Sequence, residues 1–258
     1  MIPPGHIHAW FFSIDPGACG DCDWHAFLSP EERVRAASFR FDRDRNRFLA
    51  AHGILRRILD SYLPQPARLV YGANGKPALA CGRLHFNLSH ADDRALIAVS
   101  ATVPLGVDLE RVRPEPDAAR IAEYCFSPTE RSALSLLPPA RQAEAFFQCW
   151  TRKEAFVKAL GDGLSYPLTG FSVSLDEAED ETLGEPARIL DLAGDAHAAA
   201  QWSVHPLVPE PGYVGAIVAR RPSFPVPLQV IWRNLTQLTP APNRAPATRI
   251  EPQLISHV

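Results

Sequence analysis

Three carboxylates and one lysine carry most of the chemistry legible in this chain. Asp108 and Glu110 lie two apart in Gly106-Val107-Asp108-Leu109-Glu110, a stretch that reads as a strand. Side chains two apart share a strand face, so both carboxylates project one way while Val107 and Leu109 turn to the core. Two like charges side by side are unfavourable unless something positive sits between them. A hard divalent ion fills that role: Mg²⁺ takes carboxylate oxygens, keeps several waters and bridges to phosphates. The second cluster is Trp150–Ser165, WTRKEAFVKALGDGLS, whose good helix formers run without Pro to a Gly-Asp-Gly stop at Gly161–Gly163. Glu154 and Lys158 are four apart and share a helix face. Glu154 offers a third carboxylate, and Lys158 an ammonium beside bound phosphates. Plainer accounts stand next to these: an i,i+4 salt bridge for Glu154 and Lys158, and a solvated strand end for the Asp-x-Glu pair.

Further groups suit an anionic ligand. Arg47 ends the run Arg43, Arg45, Arg47; Lys76 sits in the turn Gly75-Lys76-Pro77; Ser89-His90 closes a strand and opens a loop, where backbone N–H groups are often free. A solvated arginine face, a turn lysine and a satisfied surface histidine are the competing accounts. No Walker-type loop and no GxGxxG occurs, which argues against nucleotide binding through those devices. Cys19 and Cys22 form a lone CxxC with His25 behind it. A structural zinc needs four ligands and no second pair is suitably spaced, so these read as loop cysteines.

The elements that must position these groups alternate between strand and helix. Ile7–Ile14 reads as a strand. Ser29-Pro30-Glu31-Glu32 starts a helix with Ser as cap and acids in the first turn, and an amphipathic helix follows from about Asp44 to Tyr62. Leu69–Tyr71, the turn Gly72–Pro77, and strands at Leu84–Leu88, Ala95–Ser100 and Leu105–Leu109 complete the first part. Asp117–Tyr124 reads as helix, Ser127-Pro128-Thr129-Glu130 repeats the helix start, and Arg141–Leu160 is the long helix carrying Glu154 and Lys158. Phe171–Leu175, Ala187–Leu192, Ala200–Val204 and Tyr213–Ala219 supply further strands. The two Ser-Pro-x-Glu starts hint at two related α+β halves joined near residue 104. Prolines crowd the segment from Arg221 onward, which reads as an extended, poorly packed tail.

At 258 residues, 46% hydrophobic and 21% charged, the composition is that of a globular protein able to bury a sizeable core. No apolar run approaches a membrane span. The start lacks a basic segment followed by an apolar one, so no signal peptide and a cytoplasmic location are expected. A net charge of −3 argues against broad nucleic-acid binding, and five cysteines do not suggest a disulfide framework.

In order, Gly75–Pro77 (GKP), Phe86–His90 (FNLSH), Gly106–Glu110 (GVDLE), Phe126–Glu130 (FSPTE) and Trp150–Ser165 resemble the 4′-phosphopantetheinyl transferases. The long first half is similar to their Sfp-type branch, the surfactin synthetase-activating enzymes. The resemblance spans about Leu28 to Phe171 and runs more weakly to about Arg220. It implies a fold of two similar-sized α+β halves related by a pseudo-two-fold, each a small antiparallel sheet packed by helices. Residues 1–104 would bind coenzyme A, residues 105–220 would carry metal and catalytic groups, and residues 221–258 would form the tail. It implies Mg²⁺-dependent transfer of the phosphopantetheine arm of coenzyme A to a serine of an apo acyl or peptidyl carrier protein, releasing adenosine 3′,5′-bisphosphate. Asp108, Glu110 and Glu154 would hold the Mg²⁺ (or Mn²⁺). Glu154 and Lys158 would be catalytic; the base for the carrier serine would be Glu154 or a metal-bound water, with Glu130 at the margin, and water relaying the proton is favoured because a carboxylate on Mg²⁺ is a poor base. Arg35, Arg47, Lys76, Pro77, Ser89, His90, Asp108 and Lys158 would bind coenzyme A. Glu32 stands where some relatives have a lysine, and Phe48 where some have a small polar residue. Arg111, Arg113 and Arg120 would help an acidic carrier dock, and the chain would act as a monomer without nucleic acid or membrane. A non-catalytic coenzyme A or carrier-binding module and a metal-dependent pyrophosphatase are the alternatives.

Overall fold

In a computed structural model, residues 1–15, 23–72, 74–161, 166–175, 187–223 and 226–238 are described. The CxxC cysteines and Asp162–Ser165 lie outside them.

The first half opens with strand β1 (His6–Ser13). Ser29 then caps helix α1 (Pro30–Ala37) by taking the Glu32 N–H, while the Glu32 carboxylate takes the Ser29 N–H. This reciprocal box satisfies two donors that a helix start otherwise leaves open. The long helix α2 (Asp42–Asp60), the hairpin β2 (Leu69–Tyr71) and β3 (Pro77–Leu79), and strands β4 (His85–Ala91) and β5 (Arg94–Ser100) follow.

The second half repeats the plan. Strand β6 (Leu105–Arg111) leads through an added helix α3 (Ala118–Cys125) to α4 (Pro128–Leu136), capped by Ser127 and Glu130 in the same reciprocal box. The long helix α5 (Pro139–Leu160), the hairpin β7 (Phe171–Val173) and β8 (Ile189–Leu192), a short α6 (Ala196–Ala200), and strands β9 (Trp202–Leu207) and β10 (Tyr213–Arg220) complete it. The strand orders correspond. The first sheet runs β1-β5-β4 and the second β6-β10-β9, all antiparallel.

Side-chain alternation stacks these pieces in layers. Trp10, Phe12, Ile97 and Val99 pack under α2 with Ile54, Leu55, Ile58 and Leu59. On the opposite face, Ile7, Ala9, Leu96 and Ala98 meet Val107, Leu109, Ile217 and Ala219 of the second sheet. The far face of that sheet, with Val214, Ala216 and Val218, packs against Phe146, Phe156 and Val157 of α5. The chain is therefore α+β with two sheets back to back and a long helix on each outer face.

Three expectations are corrected. Part of the proline-rich tail is packed: Gln229–Arg233 forms strand β11, parallel to β1 from His6↔Gln229 to Trp10↔Arg233, and Leu238 is buried in the first core. Gln229–Arg233 thus joins the first half's sheet. Pro77, read as turn, begins a strand. Ser89 and His90 lie inside β4, which runs on to Ala91, so they point to opposite faces.

Candidate active site

The helix-facing side of β6 is Gly106, Asp108 and Glu110, and the glycine decides how close α5 comes. A Cβ at Gly106 would lie 2.2 Å from the Ala155 carbonyl oxygen and 2.4 Å from the Ala159 nitrogen. The absent side chain lets the last two turns of α5 rest on the strand backbone, and this seat brings Lys158 to Asp108. The Lys158 ammonium lies 2.5 Å from Asp108 Oδ1 and 3.1 Å from Ser89 Oγ. The expected i,i+4 partner of Lys158 was Glu154, yet Lys158 reaches across to the strand.

The first half supplies the other wall. Asn87 and Ser89 are two apart on β4 and face the second sheet. The Asn87 side-chain oxygen accepts the Val107 N–H at 2.8 Å, and the Ser89 hydroxyl donates to Asp108 Oδ1 at 2.9 Å. β4 and β6 are edge strands of their sheets, so an edge N–H that would otherwise lack a partner is satisfied across the seam. The Asp108–Lys158–Ser89 cluster sits on that seam and draws on both halves.

Charge crowding marks the acids. Burial, and then the Asp108 charge, push the Glu110 carboxyl up to about 7. The same two causes raise Glu154, with Lys158 opposing. Among the described residues no three His, Cys, Asp or Glu side chains form a ready metal cage; Asp108, Glu110 and Glu154 share a neighbourhood, with Lys158 the near partner of Asp108. The donor set nevertheless suits a hard divalent cation. Asp108 Oδ2 is buried without a hydrogen-bond partner, and carboxylates held above their usual range by burial and mutual repulsion are those a cation relieves.

A shelf of histidines and arginines lies on the other side of β4. His90 is held below its ordinary value by desolvation, then by His52, Lys158 and Arg47, against the opposing charge of Asp108. His52 stacks on Phe48 with ring centroids 4.0 Å apart, and the exposed Arg35 lies over the Phe48 ring at 5.3 Å. Arg47 pairs with Asp15 at 3.1 Å. Glu32 takes no part as a ligand group: it is buried, bonded to Arg56 at 2.6 Å and to His52 at 3.3 Å.

The remaining expected residues divide. Lys76 points its ammonium into the seam, where it donates to the main-chain carbonyls of Leu105 at 3.1 Å, Lys158, and Ala159 at 3.4 Å. Pro77 lies half-buried beside it. Glu130 is corrected as a base: it is buried in the α4 capping box, pairs with Lys153 at 2.8 Å and accepts the Val173 N–H at 2.7 Å. The exposed arginines each have an acid: Arg111 with Asp92, Arg113 with Glu110 and Glu115, Arg120 with Asp117. Gly106, Asn87 and His52 were missed. The glycine and the asparagine belong to motifs already quoted, but His52 carried no signal beyond its place one turn after Phe48.

Residues 104–218 match the 4′-phosphopantetheinyl transferase superfamily (ACPS). The chain is 38% identical over 219 residues to the 4′-phosphopantetheinyl transferase HetI of Nostoc, covering 82% of this chain and 86% of that protein. It is 35% identical to psf-1 of Bacillus pumilus, covering 76% and 81%, and 30% identical to Sfp of Bacillus subtilis, covering 80% and 88%. Both are 4′-phosphopantetheinyl transferases.

Proposed function

Since the chain belongs to the 4′-phosphopantetheinyl transferase superfamily, we propose that it moves the phosphopantetheine arm of coenzyme A onto a serine of an apo acyl or peptidyl carrier protein, with Mg²⁺ as cofactor and adenosine 3′,5′-bisphosphate as by-product. The observation that carries this reading is the convergence of Asp108, Lys158 and Ser89 on the seam between the halves.

Asp108, Glu110 and Glu154 are the residues that would hold Mg²⁺ or Mn²⁺, and a bound ion would supply positive charge against a diphosphate. The chain's own groups do the rest. His90 and His52, with the charged Arg47 and Arg35, form the shelf that receives a phosphate of coenzyme A. Ser89 and Lys158 flank the diphosphate. The carrier serine oxygen bonds to the β-phosphorus as the bridging P–O bond breaks. A water hydrogen-bonded at the edge of the Glu154 carboxylate relays the serine proton, since a carboxylate that holds a cation has its lone pairs engaged and its value depressed, and is a poor base itself. Lys158 meets the charge that grows on the departing phosphate and donates a proton to it.

The test is the intact mass of several apo carrier proteins after incubation with this protein, coenzyme A and Mg²⁺. The reading predicts addition of one phosphopantetheine arm to at least one carrier. No shift on any acyl or peptidyl carrier would sink it, and coenzyme A cleavage by water alone would favour a pyrophosphatase.

A further inference from the structure

Only three of the 26 basic residues are lysines: Lys76, Lys153 and Lys158. The other 23 are arginines, and a lysine differs from them in offering a compact ammonium with three donors on a flexible stem. Lys153 is enclosed with Glu130, and Lys158 pairs with Asp108. Among the described residues Lys76 has no acidic partner. Its ammonium donates to three main-chain carbonyls from two elements of the other half: Lys158 and Ala159 at the end of α5, and Leu105 at the start of β6. The last carbonyls of a helix have no intrahelical partner and form its negative end. One ammonium there satisfies several acceptors at once. Asn74, from the same turn, donates its side-chain N–H to the Gly161 carbonyl at 3.2 Å, where the chain leaves the helix in a left-handed conformation with φ 87°.

We propose that Lys76 is a positioning residue: it fixes the last turn of α5 on β6 and thereby sets Lys158 against Asp108 and Ser89. Gly106 allows the helix to approach the strand, but close approach alone leaves the helix free to slide along it. Lys76 removes that freedom by tying the carbonyl of Lys158 itself to the carbonyl of Leu105. A group displaced by about 1 Å loses on the order of a hundredfold in rate, so the effect falls on turnover. The kinetic half of this inference rests on the transferase reading; the geometric half does not.

With so few lysines, acylation by acetic anhydride read by peptide mass spectrometry reports the surroundings of Lys158 without requiring activity. In Lys76→Met, Lys158 is expected to label several-fold faster, kcat to fall about tenfold or more, and the Kd for coenzyme A to hold. Lys76→Arg should recover part of both changes. If Lys76→Met does not fold, Asn74→Ala removes the neighbouring bond and should give the same labelling change at smaller amplitude. A Kd for coenzyme A that weakens in step with turnover would make Lys76 a ligand contact and overturn the proposal. So would unchanged Lys158 labelling and kcat alongside a lower Tm, which would make it a stabilising staple only. A wild-type protein that modifies no carrier would end the functional reading alone, because labelling still decides the positioning claim.

Discussion

β1 and β6 pair with their sheet neighbours through matching registers, Ser13↔Arg94 to Ile7↔Ser100 in one and Arg111↔Tyr213 to Leu105↔Ala219 in the other. Aligning the two ladders sets His8 against Gly106, Trp10 against Asp108 and Phe12 against Glu110. In the first half this face is filled: Trp10 and Phe12 are core residues under α2, and His8 bonds Tyr62 at 2.6 Å. In the second half the same face is hollowed by a glycine and lined with acid. The ion pairs behind the caps match as well, Glu32 with Arg56 and Glu130 with Lys153. One plan thus serves as scaffold in one copy and as reactive surface in the other. The reactive copy is completed by Ser89 and Lys76 from its neighbour.

That comparison is breakable, most sharply at its matched positions. Asp108→Ala should lower transfer by on the order of a thousandfold or more with a small change in Tm, because it also removes a buried charge that repels Glu110 and Glu154 and leaves a partly exposed Lys158 able to reach water. Trp10→Ala should do the reverse, costing about 3–5 kcal/mol of stability while the folded fraction keeps its specific activity. Urea unfolding and a carrier-loading assay on both variants separate the two; equal stability losses would undo the claimed division. Gly106→Ala comes next: the added methyl meets the α5 backbone, and transfer should fall about a hundredfold as the helix shifts.

The buried ion pairs test the parallel itself. Glu32→Gln and Glu130→Gln should each cost about 3–5 kcal/mol, measured by urea unfolding. Burial works against Glu32's charged form, but hydrogen bonds from His52, Arg56 and Ser29 outweigh it and hold the carboxyl at about 2. Its contribution is therefore present above the ordinary carboxylate value and lost as pH falls towards 2. His8, lowered to about 4 mainly by burial, adds a loss as pH falls from 6.5, because the unfolded chain binds that proton more readily. Ser29→Ala and Ser127→Ala should be the smallest changes, about 1 kcal/mol each. Glu110 supplies a separate pH test. With its carboxyl at about 7, a cation must displace a proton below that value, so the Mg²⁺ needed for half-maximal transfer should rise as pH drops from 8 to 6. A flat requirement would remove Glu110 from the set.

Much of this site was legible because short-range rules govern it. Period-two alternation placed Asp108 and Glu110 on one face, the helix repeat placed Glu154 and Lys158, and the Ser-Pro-x-Glu starts announced both capping boxes. What could not be read was long-range. Nothing local shows that Lys158 reaches Asp108 instead of Glu154, that the Lys76 ammonium is absorbed by another element's carbonyls, or that Glu130 is locked on Lys153. The Gln229–Arg233 strand hid behind flanking prolines because an edge strand tolerates them. Ser89 and His90 were read as the end of a strand; inside it, they straddle β4 and serve different walls.

The most direct measurement is the intact mass of an apo carrier protein after reaction with coenzyme A and Mg²⁺, using wild type beside Asp108→Asn at matched Tm. The account predicts a phosphopantetheinylated carrier from the wild type and an unmodified one from the variant. Equal modification by both would contradict it, since the carboxylate on the seam would then have no part in the transfer.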